Sequence, residues 1–157
     1  MPGRDLAIDP ENRDRRGKFR SLLFEYGVIA PRQNLKTGLA KQAELGWLFV
    51  TEQRLITHSA HEVPTSTSTF NDLVNLIEGR PWLSKMLPAK EPHGIYRSPG
   101  RERIELKDGR KIQFRARTRS GGRGLTGDKM VLDEAFALLP EHMGALLPTL
   151  AVVPDPQ

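Results

Sequence analysis

The chain has 157 residues, with 24 Lys and Arg against 19 Asp and Glu for a formal net charge of +5, and it contains no cysteine. That length suits one domain with a core of its own, and the lack of cysteine excludes disulfides, thiolate metal ligands and a Cys nucleophile. Charged, Gly or Pro residues cut every apolar run short of the roughly 20 residues that span a bilayer, and the start has no apolar signal segment, so a soluble protein with no membrane partner is expected.

Residues 1–18 are polar and mixed in charge and read as an arm preceding a domain over 19–157. From Leu22 to Ala30 an apolar stretch with Val28 and Ile29 meets Pro31, which predicts a buried strand ending in a loop. Lys36 to Phe49 is predicted helical, with Leu39, Ala43 and Trp47 on one stripe that Ala40 and Leu48 broaden. Gln53 to Ala60 reads as a second strand. Pro64 and the Ser/Thr run Thr65 to Thr69 then offer a helix start, and Phe70, Leu73, Val74 and Ile77 form the face of that helix, stopped by Gly79 and Pro81. Arg103 to Leu106 and Lys111 to Ala116 predict two strands joined at Asp108-Gly109. A Gly-rich segment over 120–127 leads to a short buried strand, Lys129 to Leu132, followed by Asp133 and Glu134. A helix over Pro140 to Leu147 and a strand over Thr149 to Val153 complete the expectation. Strands alternating with helices argue for an α/β domain with a mostly parallel sheet.

The charge is uneven. Between Arg97 and Arg123 ten Lys or Arg stand against Glu102, Glu105 and Asp108, an excess of seven, so the rest of the chain carries −2. A local excess of this size suits contact with a polyanion, or a solvated hairpin that carries charge for solubility.

Two segments carry candidate chemistry. Ala30-Pro31-Arg32-Gln33-Asn34-Leu35-Lys36-Thr37 opens into a helix. Helix N-terminal amides there favour a bound phosphate, Lys36 can reach terminal phosphates and the Thr37 hydroxyl can ligate Mg²⁺. The alternative is an ordinary helix start. In Met130-Val131-Leu132-Asp133-Glu134-Ala135 an apolar strand ends in two carboxylates. Asp133 can hold Mg²⁺ through water and Glu134 can polarise an attacking water, or the pair simply favours a helix dipole. The order of the two segments is that of P-loop ATPases of the helicase and translocase type. His58, His61 and Glu62 lack a further ligand at metal spacing and read as a polar strand end.

Five segments together, Pro31 to Thr37, Ser59-Ala60-His61-Glu62, Arg117 to Gly124, Val131 to Ala135 and Pro148-Thr149-Leu150, resemble the ATPase region of tailed-phage terminase large subunits, over roughly residues 22–157. The resemblance implies a P-loop NTPase domain, a three-layer αβα unit incomplete at its C-terminus, that drives packaging of double-stranded viral DNA into a procapsid. It further implies a Walker A loop of Pro31, Arg32, Gln33, Asn34, Leu35, Lys36 and Thr37 binding ATP, with Arg32 acting on the γ-phosphate. Asp133 and Glu134 would be the Walker B pair, with Thr37 and Asp133 holding Mg²⁺ and Glu134 catalytic. Arg117, Arg119 and Arg123 would reach a neighbouring subunit's ATP or grip the DNA backbone, and Thr149, Leu150 and Ala151 would couple hydrolysis to movement. The implied partners are DNA, the portal protein and the terminase small subunit, around a homo-oligomeric ring in the cytoplasm of a bacterial host.

Two departures matter. Leu35 stands where the family has Gly, and if that position needs a positive φ a leucine costs roughly 1–2 kcal/mol there. The nuclease half of such proteins is also absent from this sequence, so a partial chain or a prophage remnant is expected. A non-catalytic DNA-binding or assembly remnant is therefore the alternative function, and a helicase-like ATPase of another role is a third.

Overall fold

The computed structural model describes residues 36–51, 53–117 and 125–138, with residues 25 and 27–29 in addition. Helix α1 (Lys36–Phe49) precedes strand β1 (Leu55–Ala60), helix α2 (Val63–Glu78) and the single turn α3 (Pro81–Ser84). Strands β2 (Ile95–Tyr96), β3 (Arg103–Glu105), β4 (Lys111–Ala116) and β5 (Lys129–Leu132) follow, and a 3-10 turn spans Ala135–Ala137.

The strands form one sheet in the order β2-β3-β4-β1-β5. β1 pairs in parallel with β4 on one side and with β5 on the other. β2, β3 and β4 pair antiparallel in succession, so β3 alone runs against the other four. The fold is thus mixed α/β with a mostly parallel sheet, as expected. Register places Ile56, His58 and Ala60 beside Ile112, Phe114 and Ala116 on one face. Against that face pack α1 and α2, and the core closes around Leu48, Phe70, Leu73, Val74, Ile77, Ile104, Ile112 and Phe114. Phe114 meets the Phe70 ring edge-on at 5.4 Å between centroids.

The α2 face is the one the spacing predicts, since Phe70, Leu73, Val74 and Ile77 are all buried. Its start is earlier than expected: Pro64 sits in the first turn, where a missing N–H costs nothing, and the Ser/Thr run lies inside the helix. Thr69 Oγ1 there donates back to the Thr65 carbonyl. The stop at Gly79 is right-handed (φ −72°), its N–H bonding to the Asn75 carbonyl, so that glycine serves closeness and not a left-handed cap.

Two other expectations change. On α1 the buried line is Glu44 and Leu48, and Leu39, expected inside, is 53% exposed. The inward line is rotated by one residue because Glu44 has a buried partner on β1. Of the strand expected over Leu22 to Ala30, the described residues Glu25, Gly27, Val28 and Ile29 carry no strand and lie exposed. The helix expected over Pro140 to Leu147 and the strand over Thr149 to Val153 lie outside the described residues, so helices cover only one sheet face among those described.

The hairpin forms as read. Gly109 takes φ +86° in the turn, the Leu106 N–H bonds to the Arg110 carbonyl, and Asp108 Oδ1 accepts from the Arg110 N–H. The short strand β2 was not anticipated. Its pairing with β3 depends on Gly94, at φ +70°, whose Cβ, if present, would stand 2.2 Å from the Glu105 carbonyl oxygen.

Candidate nucleotide site at the strand ends

The parallel strands β1, β4 and β5 end side by side at Ala60, Ala116 and Leu132, and the chain leaving β5 meets the first residue of α1. A crevice beyond the carboxyl ends of parallel strands is where α/β folds place ligands, because loops there carry side chains on a rigid frame. Lys36 Nζ lies 3.1 Å from Asp133 Oδ1. With Lys36 39% exposed, the pair adds little stability, and its significance is positional.

Asp133 is held on all sides. Its N–H continues the parallel ladder to the Ser59 carbonyl at 2.9 Å, and its Oδ1 also accepts the Glu134 N–H at 2.8 Å. Glu134 itself adopts the left-handed conformation, φ 54° and ψ 49°, which a residue with a Cβ adopts only at a cost of about 1–2 kcal/mol. That turn swings the chain away from the sheet immediately after the two carboxylates. The Glu134 carbonyl then accepts from Ala137 N–H at 3.0 Å and starts the 3-10 turn.

Beneath these residues lies Arg117, only 4% exposed. Its Nη1 donates to the Ser59 carbonyl at 2.6 Å, and its Nη2 donates to the carbonyls of Asp133 and, at 3.2 Å, Glu134. Burial draws its guanidinium below the ordinary Arg range, while the charges of Asp133 and Glu134 oppose that shift. Arg117, expected as a trans finger or DNA contact, has its guanidinium buried and turned inward. A guanidinium turned inward onto three carbonyls is not presented to another molecule.

The helix bearing Lys36 is fixed from below as well. Glu44 Oε1 and His58 Nδ1 meet at 2.6 Å with neither side chain exposed, which pins α1 to β1. Glu44 lies two turns beyond Lys36, about 12 Å along the helix. His58, read from sequence as part of a polar strand end, is therefore a core residue, whereas His61 is exposed. Among the described residues no three His, Asp or Glu gather as a metal cluster.

The structure thus brings Lys36 to Asp133, with Glu134 next along the chain and Thr37 half-buried in the same first turn of α1 as Lys36. Pro31, Arg32, Gln33, Asn34 and Leu35, together with Arg119, Arg123, Thr149, Leu150 and Ala151, lie outside the described residues. Sequence reasoning missed the inward course of Arg117 and the Glu44–His58 contact. Arg117 stood directly after the strand Lys111 to Ala116, and this position at a strand's carboxyl end, rich in carbonyls, was the available signal.

The fold is thus mixed α/β with a mostly parallel sheet, and it sets a lysine at a helix start against an acidic strand end. The backbone is similar to the crystal structure of the HK97 bacteriophage large terminase, with a TM-score of 0.61 and 20% identity, over 82% of this chain and 27% of that one. At that identity the likeness shows a terminase-like fold, and the chain spans about a quarter of the other's length. No family model matches the sequence, and no curated protein does.

Proposed function

We propose that this chain is an ATP-hydrolysing motor module of the large-terminase kind, acting in the packaging of double-stranded viral DNA. The observation that carries the reading is the contact between Lys36 and Asp133, which joins two distant segments at the strand ends. The similarity of the fold to the HK97 large terminase supports it.

In this reading Lys36 exchanges Asp133 for the terminal phosphates of ATP. Thr37 and Asp133 would hold Mg²⁺, one hydroxyl and one carboxylate being a fitting donor set for this ion. Bound there, Mg²⁺ supplies neutralisation of the charge on the β- and γ-phosphate oxygens. Glu134 holds the attacking water and accepts its proton, and Arg32 stabilises charge on the γ-phosphate. Arg119 and Arg123 are the remaining candidates for a trans arginine or a DNA grip, and Thr149, Leu150 and Ala151 for coupling. The portal protein, the terminase small subunit, further copies in a ring and a bacterial cytoplasm belong to the same proposal. No described helix is long and apolar enough to cross a membrane.

Leu35 favours the second reading, a DNA-binding or assembly remnant without catalysis. Calorimetry of MgATP binding by the native chain, Lys36→Ala and Leu35→Gly separates the two. Native binding that Lys36→Ala abolishes supports the motor. Binding only by Leu35→Gly, beside salt-sensitive DNA binding indifferent to ATP, supports the remnant.

A further inference from the structure

After β5 the chain passes two adjacent carboxylates, Asp133 and Glu134, in a conformation that a glutamate does not adopt unaided. Glu134 is left-handed. Such a residue stays put only where its surroundings fix it from several directions. Here its N–H is held by Asp133 Oδ1 and its carbonyl by Ala137 N–H and Arg117 Nη2. Asp133 Oδ1 also faces Lys36, so that bond is open to competition whenever Lys36 is drawn elsewhere. The Arg117 bonds have no such competitor among the described residues, and the guanidinium has no exposed path away from them.

We propose that Arg117 is a positioning residue for the Asp133–Glu134 pair, a clasp that sets the direction of the Glu134 carboxylate while touching neither phosphate nor water. The inference rests on the nucleotide-site reading above. A guanidinium suits the task because it is planar, keeps its charge and forks: Nη1 takes the end of β1 through the Ser59 carbonyl, while Nη2 takes the Asp133 and Glu134 carbonyls. Its backbone N–H is bonded to the Ala60 carbonyl at 2.8 Å, so the clasp is anchored on the same strand that it grips. Its Nε has no partner among the described residues, so the two outer nitrogens carry the contact. A lysine at this position offers one nitrogen and cannot span the ends of β1 and β5 together.

The test measures MgATP turnover and MgATP affinity on the full chain and on Arg117→Lys and Arg117→Ala, with the folded fraction followed by circular dichroism. Misplacing a catalytic group by about 1 Å costs on the order of 100-fold in rate. The expected result is a kcat for Arg117→Lys lower by about that factor, with KM and nucleotide Kd within about threefold of the parent, since Lys36 is untouched. Guanidinium ion added at millimolar concentration is expected to restore much of the lost turnover to Arg117→Ala and none to Arg117→Lys. Turnover that falls only in step with the folded fraction, or an Arg117→Lys variant as fast as the parent, would overturn the proposal. A parent chain whose turnover does not depend on Lys36 overturns the nucleotide reading itself and this inference with it.

Discussion

Glu44 and His58 meet in the core, and each retains one polar atom, Glu44 Oε2 and His58 Nε2, without a partner among the described residues. Breaking such a contact from one side strands a buried group, so Glu44→Ala is expected to cost at least about 1–3 kcal/mol, read as a lower urea midpoint. An unchanged midpoint would show that the pair does not hold α1. Residues of this sort are hard to read in sequence, because a Glu on a helix and a His on a strand look like surface groups until the register puts them opposite one another. Lys36, Asp133 and Glu134 were legible for the opposite reason. Each stands at a junction between an apolar run and a loop, and such junctions collect where parallel strands end. Arg117 carried the same signal but was counted with the cations of the Gly-rich segment, and charge alone does not say which way a guanidinium turns.

The hairpin and the edge strand show how much glycine can tell and where it falls silent. Gly94 and Gly109 both have positive φ, but a Cβ at Gly109 meets open space whereas one at Gly94 meets the Glu105 carbonyl. Gly109→Ala is therefore expected to cost about 1–2 kcal/mol from conformation alone. Gly94→Ala should cost clearly more and loosen β2 from β3, which comparison of melting curves with amide exchange at Glu105 would check. Equal costs would mean that β2 gives way freely. Sequence exposed the first turn, since Asp-Gly between two alternating strands is a strong hairpin signal. It did not expose β2, because two residues are too few for a period. At the turn, desolvation works to raise the Asp108 carboxyl, and its bonds and charge contact with Arg110 outweigh this and leave it below the ordinary 3.8. The contribution is complete above the unfolded value near 3.8 and disappears as pH falls through the lower folded value. Asp108→Asn should accordingly flatten the acid side of the stability curve, slightly, since the group is at the surface.

Across the molecule the sheet was legible in outline: α1 and β5 have the expected bounds, and α2 the expected face. The strand expected over Leu22 to Ala30 was not found in its described residues, as apolar content there does not by itself provide a paired edge. Both edges of β1 are taken by β4 and β5, so a further strand could join only at β5 or β2. The row Tyr96, Arg103, Gln113, Thr57 and Met130 crosses the face opposite the helices, with Arg103 stacked 3.6 Å over the Tyr96 ring. Part of the basic excess is therefore engaged within the sheet, which composition could not reveal. Lys36, Asp133 and Glu134 are proposed to form one hydrolytic site. It is tested most directly by Mg²⁺-dependent ATP hydrolysis of the native chain beside Lys36→Ala and Glu134→Gln. Turnover by the native chain, loss of binding and turnover in Lys36→Ala, and binding without turnover in Glu134→Gln are the expected results; undiminished turnover in both variants would rule the site out.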